Sequence, residues 1–405
     1  MEKIYRYILI GLSLLICSHL FSQTYPQDFT TIPIVKWKFK STQPFISTPV
    51  IEGNLVYVGC LDSCLYVLDL KSGKEKWKFK TGGGIRSTVS ILDNKIFFNS
   101  FDGNLYCLEK SDGKVIWTFK ASDKQYDIND YHQSSPVVHN NIIYFGMGDG
   151  NMYAVNVSDG SKVWSYHTED VVHSTPAILD DKIYFGSFDG NVYGLNLSDG
   201  SLIWKFKTVG HNFFPKGEVQ FSPNAIGKTV YIAARDYNLY AIDKDKGVCR
   251  WNREFTPGWA TEVSWRPDRD SIIYLSTSDP KNLFAIHRAY ETTKWSTELK
   301  TQCFANCAFS QNMCYLGTVI GKFFAIDLYT GKIKWTFSTE GYNKYHLNYF
   351  KPDDDYRDNI IDIVKDDEGF QAALDKCGAI YSTAAITDNE IIFSSSEGNV
   401  YCLGR

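Results

Sequence analysis

Most of the chain alternates apolar and other positions with a period near two, in short runs separated by turn sequences. The stretch from Ser174 shows the arrangement, with STPAIL, KIYFGS, VYGLNL and LIWKFK separated by Asp180-Asp181, FDGN and SDGS. Asp-Gly pairs accept the positive φ angles that tight hairpins need, and a period of two is typical of strands. The stretch therefore predicts four consecutive antiparallel strands.

The same four-strand pattern recurs along the chain, and nearly every copy ends on a tryptophan in its last strand. Successive tryptophans of this series are 40, 40, 47, 40, 47, 44 and 40 residues apart. Such a period is typical of one four-stranded propeller blade per repeat. The predicted docking tryptophans are Trp37, Trp77, Trp117, Trp164, Trp204, Trp251, Trp295 and Trp335.

Seven copies are complete, and an eighth ends at YCLGR without a last strand. Trp37 stands in IVKWKFK, ahead of any first, second or third strand. We therefore expect an all-β, eight-bladed propeller over residues 35–405, in which this N-terminal strand completes the last blade and removes free sheet edges. The copy ending at Trp295 reads RAYETTKW and lacks the usual turn glycine, so we expect its blade to be the least regular.

Two copies carry a more specific motif. AIDLYTGKIKW at 325–335 and VLDLKSGKEKW at 67–77 resemble the tryptophan-docking motif of pyrroloquinoline-quinone-type (PQQ-like) propeller repeats. The resemblance implies that each indole packs between adjacent blades, where a tryptophan buries about 150–250 Å². The chain is also similar to the BamB family of outer-membrane protein assembly factors. That similarity implies protein–protein contacts through one face and no bound quinone.

The N-terminus predicts export. Lys3 and Arg6 precede an apolar run at residues 8–17, which is shorter than the ~20 residues of a membrane span and fits a secretory signal. We expect a signal peptide over residues 1–22 and a location in the periplasm or at the outer-membrane periphery, with secretion as an alternative. Acylation of Cys17 is the rival interpretation, and only in that case do we expect membrane association.

Composition narrows the possible partners. The formal net charge is −4, so the chain lacks the excess of basic residues that is typical of a surface that binds nucleic acid. Aromatic residues make up 15% of the chain. Ten cysteines are present, and the nine that would remain without residues 1–22 cannot all pair within one monomer. Cys60 with Cys64, and Cys303 with Cys307, are close enough in sequence to pair, but sequence alone leaves the connectivity open.

By the family resemblance, the strand that begins Ser-Thr-Pro is innermost, and the residues just before it face the mouth of the central channel. Polar groups converging on one axis could hold a small polar ligand or a peptide segment; the alternative is a hydrated channel. His132 and His173 could be close together but lack a third ligand, so we expect no metal site. The predicted ligand-binding residues are Arg86, His132, Gln133, His173, Gln220, Glu262, Asn306 and Tyr381.

An insertion at residues 339–377 separates the seventh and eighth copies. Eight acidic residues fall between Asp353 and Glu368, and a weak helical period runs from Ile360 to Leu374. The segment is either a solvated lid across one face or a partner-docking element, because long loops on rigid scaffolds often carry recognition.

We expect a non-catalytic, monomeric binding scaffold outside the cytoplasm that contacts envelope proteins and uses no cofactor. The sequence contains no nucleophile elbow, phosphate loop or HExxH motif, and we predict no catalytic residue. One alternative is a dehydrogenase that uses pyrroloquinoline quinone and calcium. It would lack the adjacent cysteine pair on which many such enzymes stack the quinone. The other alternative is a glycan- or peptide-binding sensor propeller.

Overall fold

The computed structural model describes residues 25–121 and 133–405. Within these ranges, the strands form eight four-stranded antiparallel sheets, and consecutive strands are neighbours in seven of them. In the eighth sheet, the first described strand lies beside the last strand of the chain, and the two strands that precede the last one in the sequence complete the sheet. The predicted eight-bladed propeller is therefore confirmed, including the completion of the last blade by the N-terminal strand.

The strands fall into one group per blade along the chain. The N-terminal strand and blades one to four comprise β1 (Ile34–Lys40), β2 (Val50–Glu52), β3 (Leu55–Gly59), β4 (Cys64–Asp69), β5 (Glu75–Lys80), β6 (Ser90–Leu92), β7 (Lys95–Asn99), β8 (Asn104–Glu109), β9 (Val115–Lys120), β10 (Val137–His139), β11 (Ile142–Gly146), β12 (Asn151–Asn156), β13 (Lys162–His167), β14 (Ala177–Leu179), β15 (Lys182–Gly186), β16 (Asn191–Asn196) and β17 (Leu202–Lys207).

The second half of the chain continues the pattern, with three α-helices between blades seven and eight. Its elements are β18 (Asn224–Ile226), β19 (Thr229–Ala233), β20 (Asn238–Asp243), β21 (Cys249–Glu254), β22 (Ala260–Trp265), a 3₁₀ turn (Pro267–Arg269), β23 (Ile272–Thr277), β24 (Asn282–His287), β25 (Thr293–Glu298), β26 (Ala308–Phe309), β27 (Met313–Gly317), β28 (Lys322–Asp327), β29 (Ile333–Ser338), α1 (Glu340–Tyr349), α2 (Ile360–Val364), α3 (Asp367–Cys377), β30 (Ala385–Ile386), β31 (Glu390–Ser395) and β32 (Asn399–Gly404).

The hydrophobic core lies between adjacent blades. The second and third strands of a blade, such as β15 and β16, are buried on both faces, whereas outermost strands such as β17 alternate between exposed and less exposed residues. Between blades four and five, Tyr184, Trp204 and Ile232 belong to one buried cluster. Since an isolated blade would expose both faces of its sheet to water, the stability of each blade depends on packing against its two neighbours.

Tryptophans of the outermost strands tie each blade to the next. The indole N–H of Trp204 donates to the carbonyl of Lys244, 2.8 Å away, and a Cβ at Gly247 would lie 2.6 Å from the ring. Gly247 has φ +65°, so the turn both requires glycine and leaves room for the indole. The same indole-to-carbonyl hydrogen bond is made by Trp37, Trp117, Trp164, Trp204, Trp251, Trp295 and Trp335.

Blade six is the irregular one, but mainly in its inner hairpin. Its innermost strand β22 has six residues where the others have two or three, and its register shifts between Ala260 and Val263. At the turn that lacks glycine, Glu291 takes the left-handed conformation with φ +59°. The turn therefore keeps its geometry without glycine, and the irregularity of this blade lies in its inner hairpin.

A segment before β1 replaces the turn that blade eight lacks after its third strand. The indole of Trp335 donates to the carbonyl of Phe29 at 2.6 Å, in place of the turn that follows the third strand in other blades. The Phe29 N–H donates to the Tyr315 hydroxyl at 2.9 Å, and the Arg405 guanidinium lies 4.3 Å from the centre of the Phe29 ring. We call residues 25–33 the strap.

Candidate functional site

The two ends of the propeller differ in the connections that they carry. Because strands alternate in direction, the blade-to-blade connections and the turns between second and third strands lie on one face, which we call the upper face. The helices α1–α3 are one of these connections. The remaining turns, and the junction of the strap with Trp335, lie on the lower face.

A chamber of about 550 Å³ lies at the axis on the upper face. Arg86, Gln133, His173, Gln220, Glu262, Asn306 and Tyr381 all line it, together with Ile46 at the equivalent position of blade one. The structure thus brings the predicted channel-mouth residues together from eight blades. His132 lies outside the described residues, and ligand binding by the others remains a prediction.

Hydroxyl groups fix the inner strands around this chamber. The backbone N–H of Thr88 donates to Ser135 Oγ at 2.9 Å, that of Ser135 to Thr175 Oγ1 at 2.9 Å, and that of Thr175 to Ser222 Oγ at 3.1 Å. The N–H of Thr383 likewise donates to Thr48 Oγ1 at 3.2 Å across the closing blades. These bonds between neighbouring blades hold the lining side chains on rigid elements.

Two arginines bring positive charge to the chamber lining. The guanidinium of Arg235 lies 4.6 Å from the ring centre of Phe214 and 4.8 Å from that of Trp259. The guanidinium of Arg86 lies 5.2 Å from the ring centre of Phe101. Cation–π contacts of this kind stabilise a cation in a site that is partly shielded from water.

Among the described residues that line the chamber, Glu262 is the one that carries a carboxyl group. It is buried, and its Oε2 accepts a hydrogen bond from Asn306 Nδ2 at 3.2 Å. Burial raises the pKa of Glu262 to about 8, against the lowering effect of the Asn306 amide. At neutral pH the side chain is therefore mainly protonated and uncharged.

Helix α3 forms part of the chamber roof. Phe370, Gln371 and Leu374 line the chamber from this helix, and Gln371 Nε2 donates to the Tyr381 hydroxyl at 2.9 Å. Burial raises the pKa of Asp375 on the same helix, while hydrogen bonds from Gln371 and Ser396 act in the opposite direction. The weak helical period in the sequence coincides with α2 and α3.

A buried carboxylate anchors the helices to blade seven. Asp354 accepts hydrogen bonds from the Tyr342 hydroxyl at 2.7 Å and from the Lys322 ammonium on β28, and His346 Nε2 lies 2.9 Å from Asp354 Oδ1. Burial alone would raise the pKa of Asp354, but these hydrogen bonds lower it to about 2. Asp354 is therefore ionised at ordinary pH and holds the insertion in place.

Several lining residues were not predicted from the sequence. Phe188 and Arg235 belong to turns between second and third strands, and Trp259, Gln302 and Phe304 precede irregular inner strands. The positions of Phe188 and Arg235 just before the turn aspartates Asp189 and Asp236 could have revealed them, because those turns close on the upper face. The irregular repeats around Trp259 offer no comparable signal.

The donor set of the chamber does not match a calcium site. Ca²⁺ takes 6–8 oxygen ligands that usually include several carboxylates, whereas the described lining offers one carboxyl group, Glu262. Within residues 25–121 and 133–405, no cluster of three His, Cys, Asp or Glu side chains is arranged to hold a metal. The nine described cysteines are all free thiols, including Cys60, Cys64, Cys303 and Cys307.

The fold and the axial chamber place the chain among eight-bladed β-propellers built from PQQ-like repeats. Within that class, the chain belongs to the family described as outer membrane protein assembly factor BamB, whose model matches residues 34–100 and 62–297. A search of curated proteins finds no significant match. Over the part of the chain that the structure describes, no helix is long and apolar enough to cross a membrane.

Solved structures share this fold at low sequence identity. BamB from Moraxella catarrhalis matches with a TM-score of 0.66 and 14% identity, over 92% of this chain and 100% of that chain. A quinohemoprotein alcohol dehydrogenase from Comamonas testosteroni gives 0.67 and 12%, over 91% and 76%. A computationally designed protein gives 0.70 and 14%, over 93% and 100%. At such identities the matches establish the architecture alone.

Proposed function

We propose that the chain is a non-catalytic binding scaffold outside the cytoplasm that contacts envelope proteins through its upper face. The observation that carries the proposal is that ordered connections on this face present large apolar side chains to solvent. Phe213, between blades four and five, is 77% exposed, and Ile361 of α2 is 76% exposed. Large apolar side chains of this kind are candidates for the anchor residues of a protein interface.

The loop that bears Phe213 is held firmly in place. His211 and Phe214 exchange backbone hydrogen bonds of 3.0 and 2.9 Å, and the centre of the His211 ring lies 4.1 Å from that of Tyr237 in a tilted arrangement. Phe214 packs on Trp259 with ring centres 5.1 Å apart. The exposure of Phe213 is therefore built into the fold, beside the chamber.

The family description supports a role in outer-membrane protein assembly, with a location in the periplasm or at the outer-membrane periphery. Co-purification from envelope extract tests the proposal. We expect Phe213→Asp and Ile361→Asp each to reduce recovery of the main partner about tenfold, as for central interface residues. Val248→Asp is the matched control, because Val248 is 59% exposed on the lower face. Equal recovery by all variants would contradict the proposal.

The second candidate function is a dehydrogenase that uses pyrroloquinoline quinone and calcium. The size of the chamber, about 550 Å³, is that of a cofactor site and favours it, but the oxygen ligands present fit calcium poorly. Titration of the purified chain with the quinone and calcium, followed by dye reduction with alcohols or sugars, separates the two functions. Stoichiometric binding of the quinone together with turnover would show that the chain is the dehydrogenase and not the scaffold.

A further inference from the structure

We propose that the chamber binds a carboxylate that carries an apolar group, with Arg235 as the anchor and Trp259 and Phe304 as the apolar wall. The carboxylate is supplied by a small organic acid or by the C-terminus of a polypeptide, since both present the same chemistry. The proposal rests on the proposed function and names what the upper face recognises in its partner.

The charge of the lining favours an anion. Its described charged groups are two guanidinium groups, those of Arg86 and Arg235, and one carboxyl group, Glu262. Because burial keeps Glu262 largely protonated at neutral pH, the described part of the lining carries a net positive charge. A carboxylate in this partly enclosed site interacts more strongly with a guanidinium than it would in water.

The orientation of Arg235 suits a carboxylate. The guanidinium of Arg235 lies 4.6 Å from the ring centre of Phe214 and 4.8 Å from that of Trp259, and the two rings are nearly perpendicular, so the guanidinium is held between two aromatic side chains. The N–H groups of a guanidinium lie in one plane and match the two oxygens of a carboxylate. Because the two rings restrict the Arg235 side chain, it can bind a carboxylate at low cost in side-chain entropy.

An apolar wall lies directly beside this cation. Trp259 and Phe304 both line the chamber, with their ring centres 6.2 Å apart in an edge-to-face arrangement. Phe188 lines the same side, 5.8 Å from the Arg235 guanidinium. A ligand that placed its carboxylate on Arg235 would bring the adjoining apolar group against these rings, so a phenyl or branched aliphatic group fits best.

Isothermal titration calorimetry on the purified full chain tests the proposal with three probes. These are N-acetyl-Gly-Phe with a free carboxylate, the same peptide as its C-terminal amide, and 3-phenylpropionate. We expect the free-acid peptide to bind about tenfold more tightly than the amide, because the amide loses a charge-assisted hydrogen bond. Tight binding of 3-phenylpropionate would indicate the small acid as the source, and weak binding would indicate the peptide terminus.

Variants locate the binding. We expect Arg235→Gln to weaken binding of the better acid probe about tenfold, and Arg250→Gln, on the outer strand of blade five, to leave it unchanged. Gln220→Glu adds a carboxyl group to the lining at nearly constant volume and should also weaken binding of the acid probe. This variant replaces Arg235→Gln in the test if Arg235→Gln fails to fold. Equal binding of acid and amide, binding unaffected by Gln220→Glu, or no binding at all would overturn the proposal. In each of these cases, reduced partner recovery by the Phe213→Asp and Ile361→Asp variants would still support the scaffold function.

Discussion

At the scale of single residues, the propeller depends on a repeated contact between an indole and a glycine. Gly200 has φ +70°, and a Cβ there would lie 2.6 Å from the Trp164 ring of the preceding blade. The Trp164 N–H donates to the carbonyl of Leu197 at 3.0 Å. The glycine therefore serves both the turn and the packing between blades.

Substitution Gly200→Ala tests this contact. We expect it to destabilise the fold by about 2–4 kcal/mol, because left-handed strain and a clash with the indole add together. Gly53→Ala is the matched control: Gly53 has φ +58°, and a Cβ added there would have no atom within 4 Å, so only strain of about 1 kcal/mol remains. Urea unfolding of both variants measures the difference, and equal losses would mean that the indole does not constrain the turn.

Glu262 provides a test by pH. Its pKa is about 8 in the folded chain against an ordinary value of 4.5. The folded state therefore binds the proton more tightly, and the stability that this contributes is lost as the pH rises from about 4.5 through 8. We expect Glu262→Gln to become progressively more stable relative to wild type over that window, by at most about 1.4 kcal/mol per pH unit.

Urea unfolding at pH 5, 7 and 9 measures the Glu262 effect. The exposed Glu298 on β25 supplies the control Glu298→Gln, which should show no such trend. A Glu262→Gln variant whose stability relative to wild type is independent of pH would mean that this carboxyl group is not buried in the folded chain.

At the scale of elements, the strap and β1 close the ring at two points. β1 pairs with β32, with Trp37 opposite Cys402 and Lys40 opposite Asn399. Phe29 of the strap replaces the missing turn of blade eight beneath Trp335. β1 therefore shares one sheet with the last three strands, and loosening either β1 or the strap should open the ring.

Phe29→Ala should destabilise the protein by about 3–5 kcal/mol, because it removes a fully buried aromatic side chain. Ile32, three residues later in the strap, is 52% exposed, and Ile32→Ala should change stability by about 0.5 kcal/mol or less. Thermal unfolding followed by near-ultraviolet circular dichroism compares the two. Equal effects would show that the strap does not contribute to closure.

The sequence predicts the blades and the ring of channel residues because both follow from one repeat. Once the Ser-Thr-Pro strand is placed innermost, its preceding residue in each copy must face the axis, as Arg86 and His173 do. The strap is different: the contact of Phe29 with Trp335 joins residues 306 positions apart and has no counterpart in other copies. The roof formed by Phe370 is equally unpredictable, because it depends on how a unique insertion packs.

At the scale of the whole molecule, the two faces of the ring have different roles in the proposed function. The lower face carries short turns and the closure of the ring. The upper face carries the chamber, the helices α1–α3 and the ordered loop that presents Phe213. Because the blades form a rigid ring, a partner on the upper face would meet a largely preformed surface.

Site-specific photo-crosslinking in cells tests this division of the two faces most directly. A photoreactive amino acid is placed at Phe213 or Ile361 on the upper face, and at Val248 or Tyr329 on the lower face, all of which are more than half exposed. We predict crosslinks to envelope proteins from the two upper positions and none from the two lower ones. Crosslinks from the lower positions alone, or from neither face, would contradict a scaffold that binds through its upper face.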